Sequence, residues 1–218
     1  MKRVLEHEHV VVYDDVLSAD DLAALRRHVG GENYSTPMVS NGGWVRAWRP
    51  NDGEPLCTRD YVTGEEPFPH ELRCLVGPAQ EAAARHPSIV GAYAELVFRS
   101  YLYRRGTRIS WHADHYAGAL TFYAHPEWGA TWGGELLIVD ARDWREFARE
   151  HPRPPEWLAP SWEEDYLAHT GVGIWIAPKP NRLVLAAPSA YHSVNRVDDD
   201  AGSHVRASVV GFYRNRPS

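Results

Sequence analysis

From residue 95 onward the chain consists of short runs rich in Val, Ile, Leu, Tyr, Phe and Trp, separated by Gly, Pro, Asn and Asp. Such runs are typical of β-strands, and the separating residues favour turns. The pattern predicts eight strands, at residues 96–104, 109–115, 118–125, 134–140, 172–177, 182–187, 191–197 and 204–214. Eight short strands suit a jelly roll of two packed sheets, so the second half of the chain is expected to be mainly β.

The chain before residue 95 carries fewer strand signals. Residues 8–16 contain the run VVVY and are predicted to form a strand. Ser18 is a residue type that caps helices, acidic residues follow it, and Gly30 and Gly31 are typical of a helix end. The pattern therefore predicts an amphipathic helix of about three turns.

A second helix is predicted within residues 69–87, where Pro78 indicates a kink or a break. The sequence contains no internal repeat and no low-complexity tract. We therefore expect a single domain over residues 1–218. In this interpretation, residues 1–94 are a helical support region packed on one sheet of a jelly-roll core at 95–214.

Composition excludes some classes of partner. The formal net charge of -6 does not suit a surface that neutralises phosphates, so we expect no nucleic-acid partner. No stretch approaches the roughly 20 apolar residues of a membrane span, so we expect a cytoplasmic protein without a membrane partner. In that compartment Cys57 and Cys74 are expected to be reduced thiols. A homodimer is among the assemblies that the sequence allows.

His112 and Asp114 stand two residues apart in one of the predicted strands, in the stretch TRISWHADHYAGALTFYA. Side chains alternate along a strand, so both would point to the same face and could share a metal ion. Such a pair also occurs easily by chance, so it is weak evidence alone. A histidine from a distant strand would complete a facial triad of two histidines and one carboxylate, and His192 is the candidate. Arg206, 14 residues later, could hold a dicarboxylate cosubstrate.

Four fragments carry a family resemblance: YLYRRGTRISWHAD, GALTFYAHPEWGATWGGELLI, PKPNRLVLAAPSAYHSVNRV and RASVVGFYR. In this order they resemble the iron(II) and 2-oxoglutarate-dependent dioxygenases of the prolyl-4-hydroxylase-like group. The resemblance covers about residues 95–214 and implies a double-stranded β-helix, which is the jelly roll already predicted from the strands. The chain departs from the family in one place, where DDDAGS lengthens the span between His192 and Arg206.

The resemblance also implies a site. Iron(II) would be bound by the catalytic residues His112, Asp114 and His192, and 2-oxoglutarate and O2 would be the cosubstrates. The residues expected to bind 2-oxoglutarate are Arg206, Tyr103 and Tyr123. For Tyr103, a place in the hydrophobic core is the alternative interpretation.

The reaction implied is hydroxylation of an unactivated carbon with release of succinate and CO2. The first hypothesis for the substrate is a small molecule, such as an amino acid or a specialised metabolite. The second is a prolyl residue in a peptide or protein. A third hypothesis, of another class, is a cupin-like module that binds a metal or ligand without turnover. A nucleic-acid demethylase is disfavoured, because that group is expected to carry two arginines six apart, whereas Arg206 and Arg214 are eight apart.

The segment 141–171 joins the fourth and fifth strands of the predicted core and is too long for a hairpin loop. Its aromatic residues are interleaved with charged ones: Trp144, Phe147, Trp157, Trp162 and Tyr166 with Arg145, Arg149, Glu163 and Glu164. This composition favours a lid over a compact substrate. The alternative is a helix that docks on the sheet through its aromatic residues.

Overall fold

The computed structural model describes residues 1–35, 55–114, 116–139, 146, 149–150, 172–188 and 190–215. The strands in this part of the chain are β1 Lys2–His7, β2 Val10–Asp14, β3 Leu56–Cys57, β4 Tyr61–Val62, β5 Glu95–Tyr103, β6 Ile109–His112, β7 Gly118–Tyr123, β8 Leu136–Val139, β9 Ile174–Ile176, β10 Leu183–Ala186, β11 Tyr191–Val194 and β12 Arg206–Arg214. The α-helices are α1 Ala19–Gly31 and α2 Arg73–Arg85, and short 3-10 turns span His70–Leu72 and Asp199–Ala201. The fold is mainly β.

Two antiparallel sheets make up the jelly roll that the strand pattern predicts. The larger sheet has the order β1-β2-β10-β7-β12-β5-β3, with β4 also paired to β5. The smaller sheet has the order β6-β11-β8-β9. One hydrophobic cluster contains side chains of both sheets, so the sheets pack face to face.

Strand β2 of the larger sheet is buried on both faces. In β2, Val10 and Val12 join the cluster between the sheets, whereas Val11 and Tyr13 join a second cluster on the opposite face. Alternation of side chains along a strand accounts for this division. It also explains why residues 10–13 are all apolar or aromatic, a pattern expected for a strand that is covered on both sides.

The two helices cover the outer face of the larger sheet, as expected. The Ser18 side chain accepts a hydrogen bond from the Asp21 backbone N–H, which confirms Ser18 as the N-cap of α1. Leu25 of α1 and Leu75 of α2 are fully buried and belong to the same cluster as Val11. None of the helices in the described residues has the length and hydrophobicity that crossing a bilayer requires.

The region 1–94 differs from the expected helical support, because β1 to β4 also join the larger sheet. Strand β1 lacks an apolar pattern because it is an edge strand and its residues are mostly exposed. The break expected at Pro78 is wrong, since α2 continues through that residue. Burial of Leu75 and Ala79 against the sheet offsets the lost hydrogen bond.

Two valines on neighbouring strands test how far the outer cluster stabilises the fold. Val11 is fully buried, whereas Val4 is 44% exposed. We expect Val11→Ala to lower the free energy of unfolding by about 2 to 3 kcal/mol, because two buried methyl groups are lost and a cavity is left. Val4→Ala is the matched control and should change it by less than about 0.5 kcal/mol. Urea denaturation measures both, and equal effects would contradict the burial described above.

Candidate metal centre

The pairing of β6 with β11 brings the two candidate histidines together. His192 is the cross-strand partner of His112, and the centroids of their rings lie 4.3 Å apart. Strand β6 ends at His112, not at residue 115 as the sequence predicts, so Asp114 lies in the connection after the strand. Asp114 Oδ2 nevertheless lies 3.8 Å from His192 Nε2. One potential ligand atom from each of the three residues lies within 4.8 Å of the others.

Backbone and aromatic contacts orient this group. His192 Nδ1 lies 2.8 Å from the carbonyl oxygen of Ala190, so the neutral imidazole donates from Nδ1 and keeps its lone pair on Nε2, which faces Asp114. Behind the ligands, the Trp111 ring stacks on Tyr191 at 5.7 Å, and the Tyr191 hydroxyl donates to the Trp111 carbonyl. These contacts fix the two strands and the direction of the His192 ring.

A cavity between the two sheets contains the three candidate ligands in its wall. The rest of its lining is mostly apolar or aromatic and includes Tyr101, Tyr103, Ile109, Leu136, Val184, Val194, Val210 and Phe212. The potential metal ligands are therefore among the few polar groups in an apolar pocket, which is the usual composition of a small-molecule site.

Arg206 lies on the inter-sheet face of β12 and is 1% exposed. Its guanidinium carbon lies 4.5 Å from the ring centre of Tyr103, its cross-strand partner, and 4.9 Å from that of Tyr123. Within the described residues, Nε and Nη2 of Arg206 are buried and have no hydrogen-bond partner. A buried guanidinium with unpaired N–H groups is costly, so this position is suited to an anionic ligand that accepts hydrogen bonds.

The two tyrosines beside Arg206 are neutral hydrogen-bonding groups. Burial raises the pKa of both phenols above the ordinary value, although the Arg206 charge acts in the opposite direction. The Tyr123 hydroxyl is buried and, in the described part of the chain, has no hydrogen-bond partner. It thus offers a second unpaired donor close to the guanidinium. The structure brings Arg206, Tyr103 and Tyr123 together. Tyr103 belongs to the hydrophobic core and also contacts Arg206, so its two interpretations do not exclude each other.

Sequence reasoning missed the wall that supports Arg206. A Cβ atom on Gly134 would lie 2.8 Å from Arg206 Cδ, and one on Gly133 would lie 2.1 Å from the Arg196 carbonyl oxygen. Both glycines have positive φ, a conformation that residues with a side chain rarely adopt. Trp128 Nε1 donates to the Gly133 carbonyl and holds this turn. The Gly-Gly pair directly before a strand was the available signal.

His125 lies beside Trp128, with ring centres 5.1 Å apart, and is 1% exposed. Its Nε2 lies 2.6 Å from the Pro178 carbonyl oxygen, and its Nδ1 lies 3.1 Å from that of Ala207. Burial lowers the pKa of His125 to about 4, and the charge of Arg206 adds to this effect, although the contacts with the two carbonyl oxygens act in the opposite direction. The ring is therefore neutral near neutral pH and adds no second positive charge beside Arg206.

Comparison with known proteins identifies a family. The model of the 2OG-Fe(II) oxygenase superfamily matches residues 98–214, which is more than half of the chain. This match confirms the resemblance seen in the sequence fragments. No protein of curated function matches the chain.

Solved structures share the fold at low sequence identity. A prolyl-4-hydroxylase from Pseudomonas putida is 14% identical with a TM-score of 0.62, and covers 95% of this chain and 93% of its own. A prolyl hydroxylase from Trichoplax adhaerens, in complex with a hypoxia inducible factor peptide fragment, is 14% identical with a TM-score of 0.63. The match covers 95% of this chain and 84% of that protein. The non-heme alpha ketoglutarate dependent carbocyclase SnoK from nogalamycin biosynthesis is 13% identical with a TM-score of 0.61. The match covers 95% of this chain and 80% of that protein. At this level of identity the likeness is one of fold.

Metal binding tests the three candidate ligands. We expect His112→Ala and His192→Ala each to weaken Fe(II) binding by at least tenfold, because a two-ligand site holds a labile divalent ion poorly. Exposed His70 provides the control, and His70→Ala should bind like the wild type. Anaerobic isothermal titration calorimetry with Fe(II) measures the affinities. Unchanged binding in either ligand variant would contradict the site.

The pH dependence of stability tests the buried state of His125. Its depressed pKa means that the unfolded chain binds a proton more readily between about pH 4 and 6.5, so stability falls as the pH falls through this range. The loss between pH 6.5 and 4.5 should be on the order of 2 kcal/mol. In His125→Gln, the free energy of unfolding measured by urea denaturation should fall less between these two pH values, by about the same 2 kcal/mol. An unchanged slope would mean that His125 is not held neutral.

Proposed function

The chain belongs to the 2OG-Fe(II) oxygenase superfamily, and from this premise we propose that it hydroxylates an unactivated carbon of a small molecule. It is an enzyme whose family uses iron(II) together with 2-oxoglutarate and O2. In our proposal His112, Asp114 and His192 hold the iron. Arg206 binds the distal carboxylate of 2-oxoglutarate, with Tyr103 and Tyr123 beside it.

The donor set supports the metal assignment. Two imidazoles and one carboxylate form the facial triad of non-heme iron(II) oxygenases, which leaves coordination positions open. Their potential ligand atoms already lie within 4.8 Å of one another, so one ion could contact all three after small side-chain adjustments.

The observation that carries the proposal is the buried guanidinium of Arg206. Two of its nitrogens have no hydrogen-bond partner in the described residues, and the adjacent Tyr103 lines the same cavity as the candidate ligands. A dicarboxylate that extends from the metal towards Arg206 would pair the cation with an anion. Tyr123 could donate a further hydrogen bond to the same carboxylate.

The residues around the site would position the reactants and exclude water from them. Iron(II), 2-oxoglutarate and O2 would supply the oxidant that hydroxylates the carbon, with succinate and CO2 as the other products. The apolar lining, including Val184 and Val210, would exclude water that could quench the reaction. The Ala190 carbonyl would hold the His192 ring so that Nε2 faces the metal.

Small molecules are favoured by the sequence between β8 and β9, where aromatic and charged residues alternate as in contacts to compact ligands. Most of the segment 141–171, on which the lid hypothesis rests, lies outside the described part of the chain, which includes only residues 146, 149 and 150 of it. The strands at both ends of this connection flank the site, because Ile138 pairs with both His192 and Ile174. A prolyl residue in a peptide is the second candidate, and prolyl hydroxylases are among the similar folds.

Product analysis distinguishes these substrate classes. The protein would be incubated anaerobically with Fe(II), 2-oxoglutarate and a library of amino acids, metabolites and proline-rich peptides, and then exposed to O2. We expect succinate release to rise with a small molecule whose mass increases by one oxygen atom. Efficient oxidation of a long proline-rich peptide would favour the second candidate. Absence of succinate under every condition would contradict the proposed reaction.

Arg206 can be tested separately. We expect Arg206→Met to raise the 2-oxoglutarate concentration needed for half-maximal succinate release by at least about thirtyfold, since loss of the cation from a buried charge pair costs about 2 to 5 kcal/mol. Arg85→Met is the control, because Arg85 pairs with Glu81 on the exposed side of α2. An unchanged requirement for 2-oxoglutarate in Arg206→Met would place its carboxylate elsewhere.

A further inference from the structure

Two arginines share one carboxylate at the end of the larger sheet where β12 finishes. Arg99 of β5 donates from Nε to Asp60 Oδ1 at 2.7 Å, and Arg214 of β12 donates from Nη2 to Asp60 Oδ2 at 2.9 Å. Arg99 is 4% exposed, whereas the side chain of Arg214 is 22% exposed. The cluster therefore has one buried cation and one that solvent or a ligand can reach.

This cluster borders the cavity of the metal centre. Arg99 Nη1 donates to the hydroxyl of Tyr101, which lines the cavity. The guanidinium carbon of Arg214 lies 5.7 Å from the ring centre of Phe212, which also lines it, and 5.0 Å from that of Tyr116. Tyr116 follows the candidate ligand Asp114 by two residues. Arg214 thus lies beside Phe212, which lines the cavity, and beside Tyr116, which is close in sequence to Asp114.

The cations in the cluster outnumber the anions that contact them. Asp60 forms ion pairs with both arginines and can neutralise only one charge. Glu95 is the cross-strand partner of Arg214, yet no ion pair joins these two described residues. Nε of Arg214 is buried and lacks a hydrogen-bond partner in the described part of the chain. A ligand with a negative charge would supply both the missing charge and the missing acceptor.

We propose that Arg214 binds a carboxylate of the substrate and thereby selects small carboxylic acids. This inference rests on the proposed oxygenase function. Asp60 and Arg99 act as positioning residues, because Asp60 holds Arg214 and Arg99 holds Asp60 from the buried side. A prolyl residue within a peptide carries no free carboxylate, so this selection also favours a free acid over a peptidyl proline.

Matched acids and amides test the proposal directly. The probes are benzoate with benzamide, and N-acetyl-L-proline with N-acetyl-L-prolinamide. Calorimetry is performed anaerobically on the full chain with Fe(II) and saturating 2-oxoglutarate. In the wild type we expect at least one acid to bind at least about tenfold more tightly than its amide, because a charge-assisted hydrogen bond is lost. Arg214→Met should reduce this preference to within about twofold.

Two further variants make the result interpretable. Arg214→Lys keeps the charge without the Nε donor and should retain part of the preference, whereas Arg85→Met should retain all of it. Equal binding of acids and amides, no binding of any acid, or a preference that survives in Arg214→Met would overturn the proposal. Failure of 2-oxoglutarate to bind to the iron-loaded wild type would instead overturn the proposed function.

Discussion

The antiparallel pairing of β6 with β11 is the constraint on which the candidate site depends. It places His192 opposite His112, although four strands of the described chain, β7 to β10, lie between the two residues in sequence. Trp111 and Tyr191 stack beside the same pair and hold the strands in register. A shift by one residue would turn one histidine away from the cavity, so register and metal binding are physically linked.

The buried guanidinium of Arg206 is the second feature on which the candidate site depends. Its desolvation is offset in part by the faces of Tyr103 and Tyr123, and the close approach of Gly134 fixes its stem. A cosubstrate carboxylate would accept hydrogen bonds from the unpaired nitrogens of Arg206. It would thereby offset the remaining cost of burying this cation. Arg214 likewise has a buried nitrogen without a hydrogen-bond partner in the described residues, and its side chain is partly exposed, so a substrate could reach it.

Much of the architecture could be predicted because the buried strands have strong patterns. Residues 10–13 are apolar or aromatic on both faces of the strand, and Ser18 marks the start of α1. Edge strand β1 has no such pattern, because most of its residues are exposed. In α2, the packing of buried residues against the sheet outweighs the hydrogen bond that Pro78 removes from the helix. The motif around His112 pointed to the candidate site. The contacts of Asp60 with Arg99 and Arg214 span 39 and 154 residues, and no local pattern reports contacts of that separation.

The most direct test of the central claim is an anaerobic titration of the iron-loaded protein with 2-oxoglutarate, followed by visible absorption. Chelation of Fe(II) by the keto acid produces a charge-transfer band that neither component shows alone. We expect a saturable band in the wild type, its absence in His192→Ala, and a much higher half-saturation concentration in Arg206→Met. A wild-type protein that binds both Fe(II) and 2-oxoglutarate without this band would contradict a shared site.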